Sequence, residues 1–170
     1  MQVYPSRSPK EAKTPELKIV NVEAVEWQEV KAQQHGDRRV SVWEKYLEWT
    51  PELMVLYARY DPGMMIERHG HMSDHIVYVL EGEIMVGDVR CAAGTNIVLE
   101  KGASFGPIEA GPEGASMLEI MMGDPRSVPA DSEGFARLLA KRDVTPLPNP
   151  PIQAPDWFGE RTDSDPGLTT

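Results

Sequence analysis

From Val40 to Met122 the chain is cut by glycine or proline into short segments rich in aliphatic, β-branched and aromatic residues. Runs of this kind, roughly 4–8 residues long, suit strands and are too short for typical globular helices. With no strand–helix alternation between them, they predict an all-β sandwich or barrel. Strands are expected at Val40 to Trp49, Met54 to Tyr60, Met64 to His71, His75 to Leu80, Glu83 to Val86, Val89 to Ala92, Asn96 to Leu99 and Met117 to Met122. Asp61-Pro62-Gly63 reads as a turn, since proline presets φ and glycine permits positive φ. One helix is expected late in the chain. Asp131 or Ser132 can cap it, and Phe135, Leu138 and Leu139 share a face. Lys141 and Arg142 stand at its C-terminal end, where the dipole favours cations.

The regions outside these strands read differently. Residues 1–18 are polar, carry three prolines and predict a solvated arm. The expected order is that arm, a barrel over 19–130, the helix over 131–143 and a proline-rich tail over 144–170. Five prolines between Thr145 and Pro155 favour an extended chain there. The tail carries Trp157-Phe158, a pair able to dock on this subunit or a neighbour. The formal net charge of −10 argues against nucleic acid and anionic membranes as partners. Cys91 is the one cysteine, which excludes an internal disulfide and a cysteine-rich metal knuckle. With no signal-like or spanning apolar stretch, the expected location is cytoplasmic.

Three of the four histidines fall within seven residues, His69-Gly-His71-Met-Ser-Asp-His75. On a strand, residues two apart point to the same face, so His69 and His71 aim into one space. Met72-Ser73-Asp74 is expected to turn the chain so that His75, on the next strand, points back into that space. Three neutral imidazoles suit one divalent transition-metal ion, iron, zinc, nickel or copper, rather than magnesium or calcium. If strand parity holds, Met65 and Glu67 share the face of His69. Glu67 is then a second contact, a fourth ligand or an exposed residue. His35, in a turn-like Gln-Gln-His-Gly-Asp context, is expected to be exposed. Glu109 and Glu119 are further carboxylate candidates whose default is solvation. Tyr57 and Tyr78 can donate hydrogen bonds to a ligand or pack in the core. Met64, Met65, Met117, Met121 and Met122 are expected to fill the core.

These residues resemble the first motif of the cupin superfamily: a glycine, five residues, H-x-H, three or four residues, a glutamate, six residues and a glycine. Here Gly63, His69, His71, His75 and Gly82 occupy those places, with His75 at the glutamate position. The second motif is matched by Gly94 and Gly102, while Glu100 stands at its proline, Phe105 at its histidine and Glu109 at its asparagine. The resemblance covers roughly residues 40–123. It implies an all-β, single-domain cupin of the jelly-roll type: an antiparallel barrel with a short C-terminal helix and extended tails.

The resemblance also implies a metal site, reduced here to His69, His71 and His75. Exchanging the carboxylate for an imidazole leaves the centre one unit more positive, suited to an anionic or enolisable small molecule. Phe105 is expected to wall the pocket beside the metal, with Met65 and Glu109 lining it and Glu67 and Tyr78 as candidate catalytic groups. The first functional expectation is a dioxygenase-type oxidoreductase. A zinc-type lyase, isomerase or hydrolase and a non-catalytic binding module are the alternatives. A homodimer is expected, with Trp43, Tyr46, Trp49 and Trp157-Phe158 offering apolar surface either for it or for packing within the monomer.

Overall fold

The structure is a computed structural model that describes residues 14–159; most of the predicted N-terminal arm and the last eleven residues of the tail lie outside them. After a 3-10 turn at Val22–Ala24, the elements in chain order are β1 (Gln28–His35), β2 (Arg38–Trp49), β3 (Met54–Tyr60), β4 (Met65–Ile66), β5 (His69–Val86), β6 (Val89–Ala92), β7 (Asn96–Leu99), β8 (Ser104–Phe105), β9 (Ile108–Pro129), α1 (Ser132–Lys141) and β10 (Val144–Pro146). The ten strands pair antiparallel in one sheet of order β10-β1-β2-β3-β9-β5-β6. β4 adds to β9, and β7 and β8 add to β5. No helix among the described residues is long and apolar enough to cross a membrane.

The 18-residue β5 and 22-residue β9 form the spine, pairing from His69↔Pro129 to Val86↔Ile108. Alternation along β5 sends His69, His71, Ser73, His75, Val77 and Val79 inward and turns Met72, Asp74, Tyr78 and Leu80 away from the interior. The inner faces of β1, β2, β3, β5 and β9 meet in one apolar core that includes Val30, Val42, Met54, Leu56, Tyr60, Val79, Ile84, Met117 and Met121. Each such side chain, fully buried, contributes roughly 1.5–3 kcal/mol. Gly82, at φ +68°, closes the motif: a Cβ there would meet the Gly114 carbonyl oxygen at 2.1 Å. Gly70 is equally constrained, since its Cβ would stand 2.0 Å from the Ala103 carbonyl oxygen.

Several expectations change. β1 was not foreseen: Gln-Glu-Val-Lys-Ala-Gln-Gln-His carries little apolar signal, and pairing with β2 and β10 makes it a strand. Met72-Ser73-Asp74 is not a turn. It continues β5 through pairs with Asp124, Gly123 and Met122 after a register shift between His71 and Met72. His35 is half-buried, its Nε2 3.2 Å from Gln33 Oε1. Met122 is 48% exposed. α1 starts on an Asp131 cap that accepts from Gly134 N at 2.9 Å. Its apolar face covers Met65 and Val144 in a separate small cluster. Of the two readings of Tyr46 and Trp49, dimer surface or packing within the monomer, the structure shows the second: both pack against the main core of their own subunit.

Candidate metal centre

The three clustered histidines converge on one end of the barrel interior. His69, His71 and His75 are 3%, 1% and 0% exposed. The His69 and His71 ring centroids are 5.2 Å apart, and those of His71 and His75 are 4.8 Å apart, each pair nearly perpendicular. In a regular strand, residues four apart are separated by roughly 13 Å. The close approach of His71 and His75 therefore needs the bend at the 71/72 irregularity. The single strand does what the expected turn was to do.

Each imidazole is held by one nitrogen. His69 Nδ1 donates to the Glu67 carbonyl at 2.7 Å. His71 Nδ1 donates to the Pro125 and Arg126 carbonyls at 2.9 and 3.2 Å. A carbonyl only accepts, so both rings carry their proton on Nδ1 and present a lone pair on Nε2. His75 is reversed: its Nε2 faces Glu119 Oε2 at 2.9 Å, both side chains fully buried. The remaining atoms, Nε2 of His69, Nε2 of His71 and Nδ1 of His75, are buried and have no hydrogen-bond partner. Burial, with the neighbouring His71, pushes His69 down to about 3. Burial and His75 push His71 to about 4, and burial alone takes His75 to about 3. All three rings are neutral near pH 7, the form that ligates metals.

This donor set can be tested against an ion. An imidazole bound at about 2.1 Å puts its ring centre roughly 3.2 Å from the metal, so two ligands at 90–110° have centres roughly 4.5–5.2 Å apart. The observed 5.2 and 4.8 Å agree with that spacing. The outer contacts agree as well, because metal-bound imidazoles characteristically donate their other N–H to a carbonyl or carboxylate. Among the described residues, however, no group of three or more His, Cys, Asp or Glu already stands in metal-holding geometry. The donor chemistry, the outer contacts and two ring pairs, His69–His71 and His71–His75, suit an ion, while the three rings as they stand do not hold one and would have to close on it.

The other predicted site residues divide. Phe105 is 7% exposed and lies 5.0 Å from the His69 ring and 5.8 Å from the His75 ring, an apolar wall beside the cluster. Glu67 takes part through its carbonyl. Its carboxylate accepts from Ser132 Oγ at 2.5 Å, at the start of α1. Met65 leaves the site because parity fails: the Glu67-Arg68 break between β4 and β5 puts Met64 and Ile66 in the main core and Met65 under α1. Tyr78 leaves it because it has the opposite parity to His75 and is 40% exposed. Glu109 pairs with Arg142 at 3.2 Å, its side chain 36% exposed. The structure thus takes Met65 and Glu109 out of the pocket lining and Tyr78 away from the inward face where a catalytic group would stand.

One carboxylate candidate was placed on the wrong side and one site residue was not foreseen. Glu119, expected to be solvated, is 1% exposed. Its signal was its alternation with Met117 and Met121, which put a carboxylate on the core face of β9. Ser73 shares the inward face between His71 and His75, and its buried Oγ has no hydrogen-bond partner.

No protein-family model and no curated protein matches this chain. Solved structures do. A candidate acetylacetone dioxygenase from Methylibium petroleiphilum is similar at 12% identity and a TM-score of 0.58, covering 81% of this chain and 90% of its own. The polyketide cyclase RemF from Streptomyces resistomycificus is similar at 18% identity and a TM-score of 0.53, covering 68% and 86%. An RmlC-like cupin from Shewanella frigidimarina is similar at 21% identity and a TM-score of 0.49, covering 71% and 96%. The fold is the cupin jelly-roll barrel, the architecture expected from the first motif.

Proposed function

We propose that this chain is a metal-dependent cupin enzyme acting on a small anionic or enolisable substrate, with His69, His71 and His75 holding one divalent transition-metal ion. The observation that carries the reading is the set of three buried ring nitrogens without partners, each opposite a nitrogen already engaged by an acceptor. A buried polar atom left unsatisfied is costly, and three on one inward face make sense as donors to something that enters.

When bound, the ion supplies Lewis acidity and, if it is iron, the redox capacity for dioxygen chemistry. The chain's own residues do the rest. The Glu67, Pro125 and Arg126 carbonyls set the tautomers of His69 and His71. Glu119 keeps the Nε2 proton of His75 directed outward, leaving Nδ1 as the inward donor. Phe105 excludes water on one side and favours a substrate with an apolar part beside its metal-binding group. A dioxygenase-type oxidoreductase is the preferred reaction class.

Protein purified without chelators, analysed for metals and then assayed for oxygen uptake with β-diketones and enolic carboxylates, tests this. Bound iron with uptake that His71→Ala abolishes is the expected result. Zinc alone without uptake moves the protein to the lyase, isomerase or hydrolase class. Failure to take up any transition metal overturns the enzyme reading in favour of a binding module.

A further inference from the structure

His71 is held unlike its neighbours. His69 leans on a carbonyl two residues away and His75 on a carboxylate of the adjoining strand. The Nδ1 proton of His71 instead lies between two consecutive carbonyls, Pro125 and Arg126, at 2.9 and 3.2 Å. Those carbonyls belong to a bulge. The β5–β9 register steps from His71↔Ser127 to Met72↔Asp124, so Pro125 and Arg126 have no ladder partner on β5.

What fixes this bulge comes from its own side chains and from the far end of the chain. Asp124 accepts from Arg126 N at 3.0 Å and from Arg126 Nη1 at 3.0 and 3.1 Å. Arg126 Nη2 donates to the Phe158 carbonyl at 2.9 Å, and the guanidinium lies 4.4 Å over the Phe158 ring. Phe158 is 8% exposed and packs edge-on against Trp49 at 5.1 Å, with Trp49 stacked on Tyr46 at 4.3 Å. The proline-rich segment before Phe158 is docked too: Gln153 N donates to Gln28 Oε1 at 2.6 Å, and Ile152 packs on the core.

We propose that Arg126 and Phe158 are positioning residues for His71: docked in the aromatic pocket of Trp49, Phe158 clamps the Arg126 guanidinium and so fixes the two carbonyls that set the tautomer and direction of the His71 ring. The inference that this serves a metal rests on the function proposed above; the positioning itself does not. Lysine cannot replace the arginine, because only the planar fork reaches Asp124 and the Phe158 carbonyl together while standing over the ring.

The test uses the full chain, labelled with 15N and free of metal, and follows the imidazole nitrogens and Nδ1 protons by NMR. Arg126→Lys and Phe158→Ala are compared with wild type, with Phe158→Leu retaining apolar bulk without the ring face. The His71 Nδ1 proton is expected to be lost to exchange in Arg126→Lys and Phe158→Ala, and weakened in Phe158→Leu. The His69 Nδ1 proton, held by Glu67, is expected to persist in all three and to report that they fold. A His71 signal unchanged in folded Arg126→Lys overturns the proposal. Co2+ titration is the second arm. Where wild type binds Co2+, the variants should bind it about 10–100-fold more weakly. Loss of the His71 proton in the variants, with no Co2+ binding by wild type, upholds the positioning and overturns the metal reading instead.

Discussion

The inward face of β5 has two halves. From His69 to His75 it carries His69, His71, Ser73 and His75; beyond that it carries Val77, Val79 and Ile84. All are buried to within 3% of complete, so exposure does not separate the halves. Satisfaction does. Aliphatic side chains need only contact, whereas burying an imidazole costs free energy unless its nitrogens find partners. Each histidine has found one partner and kept one nitrogen without. The same strand thus builds a core at one end of the barrel and a polar, incomplete shell at the other.

The sharpest way to break this comparison is His75→Ala. It removes an inward donor and leaves the fully buried Glu119 carboxylate without its imidazole. Leaving the buried Glu119 without its imidazole partner costs about 1–3 kcal/mol, read by urea unfolding, and metal uptake should vanish with it. Adding Glu119→Leu should recover part of the stability but none of the metal binding, with a coupling of about 1 kcal/mol or more.

Acid should strike the histidine half hardest. His69 and His71 hold folded pKa values of about 3 and about 4, below the unfolded value of 6.5. Between these values the unfolded chain binds more protons than the folded one. Stability of the metal-free protein is therefore full above pH 6.5 and falls as the pH drops toward 4. By pH 5 each of the two costs about 2 kcal/mol, measured as the shift in urea midpoint. A flat profile between pH 7 and 5 would mean that the rings are not buried neutral.

Val79→Ala strikes the other half. Losing two buried methyl groups from a fully packed site should cost about 2 kcal/mol and leave metal affinity unchanged. A fall in metal affinity there would show that the halves are mechanically one. The smallest effect belongs to the outward surface. Val98→Lys, at a residue 62% exposed on β7, should change stability by less than about 0.5 kcal/mol.

Much of the barrel was legible in the chain. The Asp61-Pro62-Gly63 turn, the H-x-H parity and the capped helix face are local, and local rules read them correctly. The rule that read His69 and His71 failed just before them, because the Glu67-Arg68 break resets parity and sends Met65 under α1. The turn expected at Met72-Ser73-Asp74 failed for a non-local reason: pairing with β9 carries these residues straight through. Glu119 was readable in principle, since a carboxylate between Met117 and Met121 on a strand must share their face. Charge misled where alternation would have served.

By itself the sequence determined that the chain is β-rich and that His69 and His71 face one space, because both follow from spacing along a strand; bringing His75 to them took the register shift against β9. Only the tertiary structure decided which nitrogens are left to act. That choice depends on acceptors brought from elsewhere in the chain, Glu119 at 2.9 Å from His75 and the Pro125 and Arg126 carbonyls against His71. A ring's tautomer is set by what its other nitrogen touches, and that contact exists only once distant segments have paired.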